Sequence, residues 1–183
     1  MSDPTLLHLD GPATMNRFDE IQEVYAAAFP GYSLDDQRWR VSRQAASPGF
    51  DTVAAEASGH LIGFVYGLPL GPKTTWWDGL TPPHEAEFTA EPGTRTFAVI
   101  DLAVLPASRG QGLGRTLIDE LLGSRSEDRA TLATDPAKRA TQEMYERWGW
   151  RKVGQTPGGS RATQAAYDIY IIALRPGVDS SSR

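Results

Sequence analysis

The apolar positions of this chain change period several times, and each change predicts an element. Thr5–Leu9 is a short apolar run that predicts an opening strand. Phe18, Ile21, Val24, Tyr25, Ala28 and Phe29 then recur at helical spacing, with Asn16 as the expected N-cap and Pro30-Gly31 as the stop. A weaker helical pattern runs from Leu34 to Ala46, with Ser33 as cap and Pro48-Gly49 as stop. Phe50–Ala57 and Leu61–Leu70 predict the two strands of a hairpin turned at Ser58-Gly59-His60. From Gly71 to Arg95 no period holds: Pro72, Pro82, Pro83, Pro92, Gly79 and Gly93 interrupt it, with Trp76-Trp77 near its start. A loop of that length inside a compact domain is usually functional or disordered.

The second half is more regular. Phe97-Ala98-Val99-Ile100-Asp101-Leu102-Ala103-Val104-Leu105 is dense in β-branched and aromatic residues and predicts a central strand. It leads to Arg109-Gly110-Gln111-Gly112-Leu113-Gly114-Arg115, after which Leu113, Leu117, Ile118, Leu121 and Leu122 form a helical stripe ending near Gly123. Arg129–Thr134 predicts another strand. Asp135-Pro136 predicts a capped helix start, and Ala137, Ala140, Thr141, Met144, Tyr145 and Trp148 share one helical face before Gly149. Trp150–Gln155 and Ala165–Leu174 close the pattern as two strands separated by Pro157-Gly158-Gly159-Ser160. The predicted order is β-α-α-β-β-β-α-β-α-β-β, an α/β chain with a mixed sheet flanked by helices.

The strand, glycine turn and helix around residue 110 carry the chemistry. Glycines at such a turn accept positive φ and let the backbone approach a ligand. The free N–H groups and the dipole of the following helix suit an anion such as phosphate. The dinucleotide fingerprint fails, because Arg115 stands where its third glycine belongs, and no Gly-Lys-Ser/Thr of a P-loop follows.

Composition narrows the classes. At 183 residues and 40% hydrophobic, the chain suits a single domain, expected over residues 1–176 with a disordered tail at 177–183. A net charge of −5 argues against nucleic acid as partner and agrees with a cationic acceptor. There is no cysteine, so disulfides, thiolate metal sites and a Cys nucleophile are all excluded. His8, His60 and His84 are too scattered to suggest a metal site, and no G-x-S-x-G suggests a serine hydrolase. Met1-Ser2-Asp3-Pro4 lacks the basic and apolar regions of a signal peptide, and no run approaches a membrane span. A cytoplasmic protein with no membrane partner is expected.

The R-x-x-G-x-G pattern of Arg109, Gly112 and Gly114, directly after Asp-Leu-Ala-Val, resembles motif A of the GCN5-related N-acetyltransferases, the GNAT superfamily. The element order resembles that fold as well. The resemblance implies acetyl-coenzyme A as cofactor, its pyrophosphate held by the amides of Gly110, Gln111, Gly112, Leu113, Gly114 and Arg115. Arg109 and Arg115 are the side chains that would meet the phosphates bidentately. It also implies that the backbone of Leu102, Ala103 and Val104 pairs with the pantetheine amides like an added strand. A second resemblance lies in Lys138, Thr141, Tyr145, Gly149 and Trp150, where family members often carry Asn-x-x-Ala-x-x-x-Tyr-x-x-x-Gly-aromatic. Lys138 replaces the asparagine that contacts the pantetheine arm, and Thr141 replaces the alanine. The family tyrosine, here Tyr145, gives a proton to the departing thiolate. A phenol of pKa about 10 suits a thiolate of pKa about 8.5. The alternative for Tyr145 is a core aromatic.

The resemblance implies a small-molecule or peptide amine as acceptor, attacking the thioester directly. An ammonium must first lose a proton. Asp101 on the central strand is the candidate base, with a structural hydrogen bond to backbone as its other explanation. Two strand positions that often carry glutamate in the family are Ala98 and Ala133 here, and Glu56, His84, Glu85 and Asp135 are weaker candidates. Trp76 and Trp77, with Glu85, Glu87 and Glu91, are expected in a lid over the acceptor. The alternatives for the two tryptophans are pinning the loop to the body and a homodimer contact. Competing activities are a longer-chain acyl or O-acyl transferase of the same fold and a non-catalytic CoA-binding domain.

Overall fold

The computed structural model describes residues 3–160 and 162–175. They form fourteen elements, of which seven are strands: β1 (Thr5–Leu9), α1 (Gly11–Asn16), α2 (Phe18–Ala28), α3 (Leu34–Gln44), β2 (Asp51–Ala57), β3 (His60–Pro69), α4 (Ala86–Thr89), β4 (Thr96–Val104), a 3₁₀ turn Pro106–Ser108, α5 (Leu113–Gly123), β5 (Arg129–Thr134), α6 (Arg139–Arg147), β6 (Arg151–Pro157) and β7 (Ala166–Ala173). The strands follow the order β1-β2-β3-β4-β5-β7-β6 in one mixed sheet. The expected tail at 177–183 lies outside the described residues. The chain divides into two compact units, Met1–Leu68 with Val99–Arg125, and Pro69–Ala98 with the residues from Ser126 onward.

The first unit is built on β1, β2 and β3, paired antiparallel in register Thr5 with Glu56 and Val53 with Val65. Ser58 and Gly59 turn the β2–β3 hairpin with φ of 52° and 80°, the left-handed pair that a two-residue turn between twisted strands requires. The Val99–Val104 part of β4 follows β3, and Leu105 N–H donates to Ile62 C=O at 2.9 Å. Phe18, Ile21, Val24 and Tyr25 of α2, with Val41 of α3, are buried in one core with Phe64 and Tyr66 of β3. On α5 the stripe Leu113, Leu117, Ile118 and Leu121 is buried.

Two helix starts differ from expectation. Asn16 does not cap the helix of the Phe18 stripe: it ends α1, an additional short helix capped by Asp10 Oδ1, which accepts from Ala13 N–H at 2.9 Å, and Arg17 precedes α2 without a side-chain cap. Pro12 near the start of α1 sets the backbone for that turn, so the chain turns helical earlier than the apolar stripe indicates. Ser33 caps α3 as expected, accepting from Asp36 N–H at 3.1 Å.

In the second unit Thr96–Ala98 of β4 pairs in parallel with Arg129–Thr131 of β5. β5 pairs antiparallel with β7, and β7 with β6. The long segment before β4 is ordered by a buried ion pair. Glu91 Oε1 accepts from Trp77 Nε1 at 3.0 Å, Thr96 Oγ1 at 2.7 Å and Arg129 Nη2 at 3.0 Å. The Arg129 guanidinium lies 5.0 Å from the Trp77 ring centre and 4.6 Å from that of Phe88. An ion pair this enclosed is costly to break from one side only. Trp77→Ala, which removes a buried indole and the hydrogen bond it gives Glu91, is expected to lower stability by about 3–5 kcal/mol. Urea unfolding reads this directly, and an unchanged midpoint would remove the anchor assignment.

α6 also begins later than predicted. Asp135 Oδ1 accepts from Ala137 N–H at 2.8 Å and closes a local turn, and the helix itself starts at Arg139. The aspartate satisfies the backbone two residues ahead, a competing use of an Asx side chain before a proline. No described helix is long and apolar enough to cross a membrane.

Candidate functional site

The glycine turn lies in the first unit, between β4 and α5. Gly110 and Gly112 have φ of 75° and 79°, and a Cβ built on either would meet no atom within 4 Å. The space over the turn is open, and the conformation excludes most side chains. Gly112 is the N-cap of α5 and brings no side chain to the free N–H groups of its first turn, which also contains no acidic residue. Those amides and the positive end of the helix are therefore left to an outside acceptor.

The arginines flanking the turn have partners in the protein. Arg109 donates from Nε to Val104 C=O at 3.1 Å and from Nη2 to Ala28 C=O at 3.4 Å, tying the turn to the ends of β4 and α2. Arg115 pairs with Asp119 one helical turn on, at 3.3 Å and in solvent. An exposed pair of this kind contributes little to stability and can be exchanged for another anion.

In β4 the parallel pairing with β5 covers only Thr96–Ala98 and does not extend to Val99–Val104. Leu102 and Val104 are half-buried and Ala103 is buried. A strand in that position can accept an extended ligand along its backbone.

Asp101, immediately before Leu102, anchors a polar network. Its Oδ2 accepts from Arg40 Nη2 at 2.9 Å and from the Tyr66 hydroxyl. Gln37 Nε2 donates to the Tyr66 oxygen at 3.5 Å, and Tyr25 faces the Arg40 guanidinium. The expected structural partner was backbone; the observed partners are side chains. Burial, followed by the Asp101 charge, holds the Tyr66 and Tyr25 phenols above their ordinary range. Burial works against the Arg40 charge, but Asp101 and then the tyrosine oxygens outweigh it and hold the guanidinium firmly protonated.

Arg40, Tyr66 and Gln37 carry no sequence signal for this network, and Tyr25 reads only as part of the α2 apolar stripe. Arg40 lies 61 residues from Asp101 on a helix of weak apolar pattern, and Tyr66 sits inside an apolar strand where it reads as core. The one available signal is a buried-strand carboxylate, which demands a cation or donors from somewhere.

The remaining candidates belong to the second unit. Tyr145 is 8% exposed and packs edge-on against Trp148 at 5.6 Å and Trp150 at 5.9 Å. Lys138 is exposed at the start of α6. Trp77 is buried on Glu91, and half-buried Trp76 donates from Nε1 to Thr131 Oγ1 at 3.1 Å. Both indoles thus donate hydrogen bonds inside this unit. Of the weaker base candidates, Glu56 pairs with Arg17 at 2.9 Å and His84 Nε2 bonds Val153 C=O at 2.7 Å.

Solved structures share this architecture at low identity. A phosphinothricin acetyltransferase from Sinorhizobium meliloti in complex with AcCoA is 16% identical, with a TM-score of 0.65 over 100% of this chain and 94% of its own. An aminoglycoside 6'-N-acetyltransferase complexed with coenzyme A is 17% identical, with a TM-score of 0.63 over 94% of this chain and 98% of its own. The ribosomal-protein-S18-alanine N-acetyltransferase from Escherichia coli is 14% identical, with a TM-score of 0.60 over 98% and 99%. No curated protein matches the sequence. The model of the Acetyltransferase (GNAT) family matches residues 17–150, the span that holds the glycine turn, the Asp101 network and Tyr145, and the chain belongs to that family.

Proposed function

We propose that this protein is an acetyl-CoA-dependent N-acetyltransferase that moves an acetyl group to a primary amine by direct attack. The observation that carries the reading is the open glycine turn at the start of α5, which has no side-chain cap and follows the Val99–Val104 stretch of β4 beyond that strand's Thr96–Ala98 pairing with β5. Positive φ at Gly110 and Gly112, an empty approach and a first turn free of acids fit a diphosphate. Two of the structural neighbours named above were crystallised with AcCoA or CoA, which supports the same ligand.

The amides from Gly110 to Arg115 hold the diphosphate, with Arg115 released from Asp119 to meet it and Arg109 bracing the turn. The backbone of Leu102, Ala103 and Val104 holds the amide-bearing arm, and Lys138 takes the sequence position of the asparagine that the family uses on that arm. When bound, the cofactor supplies an activated acetyl group and a thiolate leaving group. Asp101 takes the ammonium proton of the acceptor, leaving a neutral amine to attack. Tyr145 returns a proton to the departing thiolate. Residues 1–176 are proposed as a single acetyltransferase domain.

Thiol release across amino acids, polyamines, aminoglycosides and peptides tests the reading, with acetyl-CoA binding followed separately by calorimetry. Binding without release from any acceptor would make the protein a CoA-binding domain, and release with hydroxyl compounds alone would make it an O-acyltransferase. Asp101→Asn is expected to lower kcat/KM roughly tenfold, because ordered water can partly replace the base. An unchanged kcat/KM in Asp101→Asn would take Asp101 out of the proton path.

A further inference from the structure

The two carboxylate oxygens of Asp101 have different surroundings. Oδ2 accepts from Arg40 Nη2 at 2.9 Å and from the Tyr66 hydroxyl. Oδ1 accepts from none of the described residues, yet it is not one of the buried polar atoms left without a partner. With the side chain 17% exposed, Oδ1 is the oxygen that solvent reaches. The donors on Oδ2 are rigid. The Tyr66 ring is fully buried and stacks on Phe64 at 5.2 Å. Its oxygen accepts from Gln37 Nε2 at 3.5 Å, which leaves the hydroxyl proton for Asp101, and burial keeps the phenol protonated. Arg40 is itself held by a hydrogen bond to Tyr25. A carboxylate alone turns about its last torsion between two broad, nearly equivalent wells. Two donors on one oxygen, from α3 and β3, remove that freedom.

We propose that Arg40 and Tyr66 are positioning residues for the transfer, holding Oδ2 of Asp101 so that Oδ1 faces the acceptor and takes its ammonium proton. The inference rests on Asp101 being the base of the proposed transferase, and it assigns which atom reacts and what aims it. In this step an N–H bond of the ammonium breaks, its electron pair stays on nitrogen, and an O–H bond forms on Oδ1. The neutral amine is then free to attack, and Oδ1 gives the proton to water once the acetylated product has left. Arg40 and Tyr66 stay outside that exchange, because both face Oδ2 and the Tyr66 ring is sealed from solvent. Their effect is on aim. An error of about 1 Å in placing a reacting group can cost on the order of 10²-fold in rate. Arg40 also compensates the charge it holds, since a partly buried anion without a cation is costly.

The test is a pair of mutant cycles read by thiol release from acetyl-CoA, with lysine, spermidine, kanamycin and tetra-alanine as acceptors. Tyr66→Phe deletes a single buried oxygen. It is expected to lower kcat about fivefold, the worth of one hydrogen bond, with acceptor KM and acetyl-CoA affinity little changed. Arg40→Gln should lower kcat about tenfold, and Arg40→Lys, which keeps the charge and a donor, should recover most of it. In an Asp101→Asn background neither Tyr66→Phe nor Arg40→Gln should lower the rate further, because residues that act through one group are not additive. Losses of the same size in both backgrounds would make the two residues parts of the fold alone and overturn the positioning role. Parent-like kcat in Tyr66→Phe would overturn it as well, and that variant carries the test where Arg40→Gln fails to fold. Full activity in Asp101→Asn would overturn the base assignment and the positioning role with it. A parent protein that binds acetyl-CoA and releases no thiol with any acceptor would overturn the transferase reading, on which both rest.

Discussion

Gly112→Val is expected to abolish measurable CoA binding, a loss of at least about 10²-fold, or near 2.7 kcal/mol. Gly112 holds φ of 79° as the N-cap of α5, with nothing within 4 Å of a Cβ built there. A branched side chain has no protein neighbour to clash with, so it enters the space left for the diphosphate. It also strains the left-handed turn by roughly 1–2 kcal/mol. Gly114→Val separates the two effects, because Gly114 lies inside α5 and is not among the glycines with positive φ. It is expected to weaken CoA binding with an intact fold. Calorimetry with CoA, beside a thermal melt, reads both variants. Parent-like affinity in a folded Gly112→Val protein would remove the cofactor site from the glycine turn.

Tyr145→Phe is expected to lower kcat on the order of 10²-fold, with little change in acetyl-CoA affinity. The ring is 8% exposed and packed against Trp148 and Trp150, so phenylalanine preserves its packing and removes only the hydroxyl. If that hydroxyl gives the thiolate its proton, the loss falls on the chemical step. A weakly basic leaving thiol should then recover much of the rate, since it needs the proton less. Single-turnover measurement of CoA release checks this. A full rate in Tyr145→Phe under conditions where chemistry is limiting would return Tyr145 to the role of a core aromatic.

What the sequence determined by itself is what local sterics and hydrogen bonding control. β5 is legible to the residue, Arg129–Thr134, because a short apolar β-rich run between turn signals has one backbone solution. α5 opens directly behind Gly112 and ends at Gly123, since a positive-φ glycine and an apolar stripe are both local signals. The β2–β3 hairpin follows for the same reason. Even local cues fail where two caps compete. Asp10 opens α1 ahead of Asn16, and Asp135 spends its side chain on a turn, so α6 begins at Arg139.

Only the tertiary structure decided who partners the charged groups. Asp101 meets Arg40 across 61 residues and Tyr66 across 35, through strand register and helix packing that no period records. Glu91 likewise meets Arg129 across 38 residues, which converts an apparently patternless loop into an ordered one. The demand is visible in the sequence, because a carboxylate on a buried strand needs a cation or donors. The supplier is chosen by geometry, since any of the chain's arginines satisfies that demand equally well until folding brings one within 3 Å.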